Sequence, residues 1–197
     1  MTVTETQQEW KDAQAWERNW WLNNPGMHSF EISKGDAVAK FLQIGDVSSK
    51  SVLDIGCGPF SLLQRIKARV AFALDPIDYG PLEEAYARQG ITRLIIKGED
   101  LGDNYGTFDE AWIYNCLQHV EDPDKILRNA IAVSSCVRLF EWINLPPCPG
   151  HPQMLTLPLL CRPFEDAGWK RDLLINAVAD FGGLNGPFCV GIWRRPA

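Results

Sequence analysis

The chain has 197 residues, and its 19 Lys and Arg against 25 Asp and Glu leave a formal net charge of −6. That length suits one domain, and a chain of this size buries about 70% of its unfolded surface. With 46% apolar and 22% charged residues it reads as a globular protein, and its acidic balance argues against gripping long nucleic acid, which takes a basic face. No run approaches the ~18 apolar residues of a membrane helix, and the polar residues 1–8 do not read as a signal peptide. Cys57, Cys116, Cys136, Cys148, Cys161 and Cys189 form no Cys-x-x-Cys clip, so reduced thiols in a cytoplasmic protein are expected. The three histidines and the acids are dispersed without ligand spacing, and no metal is expected.

Four of the eight tryptophans crowd the start: Trp10, Trp16, Trp20 and Trp21. At 100° per residue they share with Ala13 an arc of roughly 140° on one helix face. This helix ends at the turn Asn23-Asn24-Pro25-Gly26, and a second is expected over 36–43, closed by Gly45. Apolar strand-like runs then follow at Ser51–Ile55, 71–74, 93–96, Glu110–Tyr114 and 138–143. Helix-like segments at 61–68, 81–89 and Pro123–Val133 lie between them, and that alternation argues a parallel sheet with helices on its faces. The connection 97–108 is short and glycine-rich, so a loop or single turn is expected there. A helix should start at Thr156 and be kinked or divided by Pro163. Two last strands, 173–178 and 188–193, are split by a turn at 182–186 and should pair antiparallel at a sheet edge.

The sharpest motif is Asp54-Ile55-Gly56-Cys57-Gly58-Pro59-Phe60-Ser61, a strand end followed by a Gly-x-Gly turn and an expected helix. Glycines there let a ligand approach the backbone, and a helix start would offer free N–H groups. The dinucleotide pattern G-x-G-x-x-G fails, because Ser61 holds the place of its third glycine. The next strand ends in Asp75-Pro76, and one carboxylate can accept two hydrogen bonds from a vicinal diol.

These residues resemble the first motif of the class I S-adenosylmethionine (SAM) dependent methyltransferases, [DE]-x-G-x-G-x-G, with Phe60 in place of the last glycine. The likeness continues through Phe108-Asp109, Leu117-Gln118-His119-Val120-Glu121-Asp122-Pro123 and Phe164-Glu165-Asp166-Ala167-Gly168-Trp169. It implies an α/β fold: a Rossmann-like, doubly wound, seven-stranded sheet with a terminal antiparallel hairpin and an N-terminal helical cap. Residues 1–45 would be the cap, within the same domain as a SAM-binding core over 46–197. Asp54 and the loop Gly56, Cys57, Gly58 would position the methionine end of SAM. Asp75, with Pro76, would hold the ribose, and Glu99 or Asp100 the adenine. Asn115, Cys116 and Leu117 would run along the sulfonium.

The implied reaction moves a methyl group from SAM to an O, N or C atom of a small molecule, leaving S-adenosylhomocysteine. If the acceptor must lose a proton, His119 and His151 are the candidate bases, then Glu141. Trp20, Trp21, His28 and Tyr114 are candidates for substrate contact or for a lid that also packs. The signature Asn-Pro-Pro-Tyr is absent, which counts against amino-group methylation of DNA. The other readings are methylation of a nucleotide, RNA or polysaccharide end, and a non-catalytic methyltransferase-like partner subunit. The acceptor and the oligomeric state stay open.

Overall fold

The computed structural model describes residues 5–180 and 185–196. Two helices, α1 (Glu5–Asn23) and α2 (His28–Phe41), precede a seven-stranded sheet. Its strands are β1 (Ser51–Ile55), β2 (Val70–Leu74), β3 (Thr92–Leu94), β4 (Glu110–Tyr114), β5 (Cys136–Trp142), β6 (Lys170–Asp180) and β7 (Asn185–Arg194). They lie in the order β3-β2-β1-β4-β5-β7-β6, with the first five parallel and β7 antiparallel to both its neighbours. Three further helices are α3 (Glu84–Arg88), α4 (Pro123–Val133) and α5 (Leu157–Asp166). The expected doubly wound sheet with its terminal hairpin is therefore present; the tip of that hairpin, 182–184, lies outside the described residues. No helix among the described residues is long and apolar enough to cross a membrane.

Strand alternation divides the core in two. Leu53, Ile55, Ala111, Ile113, Val137 and Leu139 face α4 and α5. Val52, Trp112, Phe140 and Trp142 face the opposite way, toward Val38 and Leu42 of α2 and Tyr86 of α3. Every parallel strand ends at the same edge of the sheet, where open α/β sheets take their ligands.

Three expectations need correction. The helix expected over 61–68 is only a 3-10 turn at Leu62–Gln64. The start of the segment is held otherwise: the Ser61 hydroxyl goes to Asp54 and its N–H to Tyr86. The second helix starts at His28 rather than 36 and continues through Gly35, where a side chain would collide with Arg65 and crowd Leu62. Of the kink or division expected at Pro163, the division is absent: α5 runs from Leu157 to Asp166 with Pro163 inside it, after Thr156 accepts from the Leu159 N–H.

On the α2 face a buried charge cluster ties helix to sheet. Arg138 donates to Glu110 at 2.7 Å and to the Leu42 carbonyl at 2.6 Å, so it also caps the end of α2. Lys50, at 2.5 Å, and the Trp112 indole N–H, at 3.0 Å, complete the shell around Glu110. Burial pushes Glu110 up, but these donors outweigh it and hold the carboxyl at about 2. A carboxyl lowered on folding stabilises the native state above its ordinary value and loses that contribution as pH falls through its folded one. Stability followed by urea denaturation should thus fall between pH 4.5 and 2. Arg138→Met should lower stability at pH 7 by about 3–5 kcal/mol, because it leaves Glu110 buried and underpaired.

Candidate functional site

The glycine turn has to hold its shape without a helix behind it, and side chains do that work. Ser61 donates its hydroxyl to Asp54 and accepts the Leu63 N–H at 3.0 Å. Asp54 also accepts from the Leu62 backbone; it is fully buried, and burial raises it to about 7. Tyr86 reaches over from α3, donating to the Gly58 carbonyl at 2.7 Å and accepting the Ser61 N–H at 3.2 Å. Gly56 has φ of +69°, and a Cβ there would strike the side chain of Cys116, so both backbone and neighbour require glycine. At Gly58, φ +53°, a Cβ would meet nothing within 4 Å: this face of the turn is open.

That open face borders a cleft at the strand C-terminal edge. Gly56, Cys57, Gly58, Asp75, Pro76, Glu99, Asn115 and Cys116 all line it. Asp75 accepts the Gly58 N–H at 3.1 Å on one oxygen and the Ile77 N–H at 2.9 Å on the other. Each oxygen keeps a lone pair. Burial raises Asp75 to about 6 against the pull of Arg93 and these two donors. Glu99 is buried and accepts from the Glu121 and Asp122 N–H groups at 3.0 and 3.1 Å, whereas Asp100 is exposed and lines no cleft. Asn115 sits in the left-handed region with φ of +52°.

A second cleft opens beside the first. Its walls are aromatic and apolar, including Trp16, Trp20, Trp21, Phe30, Trp142 and Leu145, with Glu17, Glu31, Lys34, Gln118, His119 and His151 as polar groups. Glu17, Trp21, Glu31, Asn115 and His119 line both clefts and form the boundary between them. Lys34 is buried, 2.6 Å from Glu31, which also accepts from Tyr114 at 3.0 Å. His119 and His151 meet edge to face, 4.4 Å between ring centroids, and burial lowers each to about 4, so both are neutral at pH 7.

The α1 helix roofs these clefts. Gln14 donates to the His119 carbonyl at 2.8 Å and Arg18 to the Asp78 carbonyl at 2.9 Å. Lys97 lies 3.8 Å from the Trp10 ring centroid. Trp10, Gln14, Glu17 and Trp21, spaced four, three and four apart, face the first cleft. Glu17, Gln14, Glu31 and Lys34 were missed by sequence reasoning; that helical spacing between tryptophans was the signal for the first two.

Several expected site residues lie elsewhere. Glu141 is fully buried and lines neither cleft; its Oε1 accepts from the Cys116 and Leu117 N–H groups, both at 2.9 Å. It braces the loop beneath the site instead of facing an acceptor. Leu117 is a core side chain. His28 lines neither cleft; it lies 3.2 Å from the Trp21 carbonyl and 4.7 Å from the Phe60 ring. Asp54 acts from behind the glycine turn and lines neither cleft. Phe60 meets Trp21 edge-on at 5.5 Å, so the residue in the last glycine position joins the turn to the cap.

No family model matches the chain. Over 113 residues, 51% of the chain, it is 31% identical to norajmaline N-methyltransferase of Rauvolfia serpentina, covering 38% of that protein. Over 88 residues, 40% of the chain, it is 38% identical to L-threonine 3-dehydrogenase of Caldanaerobacter subterraneus subsp. tengcongensis, covering 24% of it. The chain thus spans well under half the length of these curated relatives. In structure it is similar to magnesium protoporphyrin IX methyltransferase from Synechocystis PCC 6803, crystallised with S-adenosylhomocysteine, at a TM-score of 0.67 and 15% identity. That match covers 94% of this chain and 100% of the other. The chain has the fold of the class I SAM-dependent methyltransferases.

Proposed function

We propose that the chain is a SAM-dependent methyltransferase acting on a small molecule and releasing S-adenosylhomocysteine. The observation that carries this reading is the pair of clefts meeting at one wall: cofactor in the first, acceptor in the second, with the methyl passing where Asn115 and His119 line both. The two lone pairs left on Asp75 suit the ribose diol. The open face of Gly56–Gly58 suits the methionine end, and the pocket beside Glu99 suits the adenine. SAM brings an already activated methyl on its sulfonium. The chain's own task is to hold an acceptor in line, shield it from water and surround the cation with aromatic faces. His119 and His151 contact the acceptor, and residues 1–45 serve as the cap of the core over 46–197. The aromatic lining of the second cleft favours a small acceptor over a nucleic-acid or polysaccharide end. Six free cysteines, five of them buried, support a reduced, cytoplasmic setting.

The dehydrogenase likeness supplies a second reading, a nicotinamide dinucleotide in the first cleft. Against it, the helix whose N-terminus would bind a pyrophosphate is here a single 3-10 turn. Ser61, at the third glycine position, is spent on Asp54. SAM carries no phosphate and needs no such helix.

Asp75→Asn keeps the shape but offers one acceptor oxygen instead of two. It should weaken SAM binding by at least tenfold in calorimetry while the thermal midpoint stays within a few degrees; unchanged affinity would remove the ribose assignment. Because Asp75 titrates at about 6 and only its ionised form accepts both hydroxyls, SAM affinity should fall roughly tenfold per unit below pH 6 and level off above 7. A flat profile from pH 5 to 8 would count against the same role.

A further inference from the structure

Glu17 of α1, His119 in the turn after β4 and His151 in the loop after β5 are far apart in sequence but not in space. Each offers a ligand atom, and these three atoms all lie within 4.8 Å of one another. We propose that Glu17, His119 and His151 bind a divalent transition metal, best matched by Zn²⁺, on the wall of the acceptor cleft.

The donor set is two imidazoles and one carboxylate, which suits zinc and leaves a fourth position open. Glu17 and His119 are also held from behind, as metal ligands commonly are, whereas Cys148 beside His151 is exposed and outside the donor set. Trp21 Nε1 donates to Glu17 Oε1 at 2.7 Å, leaving Oε2 for an ion. The Gly150 carbonyl, an acceptor only, lies 2.8 Å from His119 Nδ1 and so places the proton there, leaving the lone pair on Nε2. Cys148 Sγ stands 3.4 Å from His151 Nδ1. The one buried cation nearby, Lys34, is paired with Glu31 at 2.6 Å. Donors around tetrahedral zinc sit about 3.4 Å apart, so the three groups close by roughly an ångström on binding. The open position faces the second cleft, since Glu17, His119 and His151 all line it. An acceptor with an oxygen donor on a planar ring would fit there, its hydroxyl acidified by the ion.

The ion's role rests on the methyltransferase reading, but its binding does not. After chelator treatment, the 197-residue chain should bind one equivalent of Zn²⁺ in calorimetry, and Co²⁺ should give the visible absorption of a tetrahedral site. Glu17→Gln, which keeps an acceptor for Trp21, and His151→Ala, on a surface loop, should each weaken binding at least tenfold. Cys148→Ser should leave it unchanged. Absence of binding by the folded, stripped protein overturns the site, as does binding that survives Glu17→Gln and His151→Ala or disappears with Cys148→Ser. Titrating S-adenosylhomocysteine into the same stripped protein separates the two readings: binding there with no metal uptake leaves the methyltransferase standing and the metal site refuted.

Discussion

Asp54 is the group on which the site depends. Its buried carboxylate accepts the Ser61 hydroxyl and the Leu62 N–H, and that grip bends the chain through Gly56–Gly58 without a following helix. Leaving a carboxylate dry is costly unless donors surround it, so the turn cannot relax outward without stranding Asp54. Gly56 is pressed against Cys116 from the neighbouring strand end, and Tyr86 clasps both Gly58 and Ser61. The turn therefore belongs to three elements at once. Its open face, at Gly58, is the one surface no neighbour fills.

A cofactor without phosphates suits such a turn. A dinucleotide is held largely by a helix N-terminus, and here the return from β1 to β2 holds only the 3-10 turn Leu62–Gln64. What survives is a backbone edge, two acids at strand ends and a roof. The roof is α1, which carries its own polar groups into the cleft and is joined to the glycine turn by Phe60 against Trp21. Residue 60, where the resembled motif has glycine, is one of the points at which α1 meets the sheet, beside Gln14 on His119 and Arg18 on Asp78.

The parallel strands, α4 and the edge hairpin were legible because alternation, proline-started helices and glycine turns are local signals. Glu110–Tyr114 and Pro123–Val133 have the boundaries their patterns imply. The segment 61–68 misled because its composition suits a helix, while its first residue, Ser61, is held by Asp54 of β1 and Tyr86 of α3, contacts that exist only in the folded chain. His28 and Glu141 misled for a related reason. Residue type marks them as chemical, but only packing reveals that one props Phe60 and the other holds the 116–117 backbone. Glu17 escaped notice among the tryptophans, and its meeting with His119 and His151 depends on three segments folding together.

The central claim is that the first cleft takes SAM and not a nicotinamide dinucleotide. Calorimetric titration of the intact chain with S-adenosylhomocysteine and, in parallel, with NAD⁺ tests it directly. The account predicts one site for S-adenosylhomocysteine and no measurable heat from NAD⁺ at the same concentration. Binding of NAD⁺, or silence with S-adenosylhomocysteine, would contradict it.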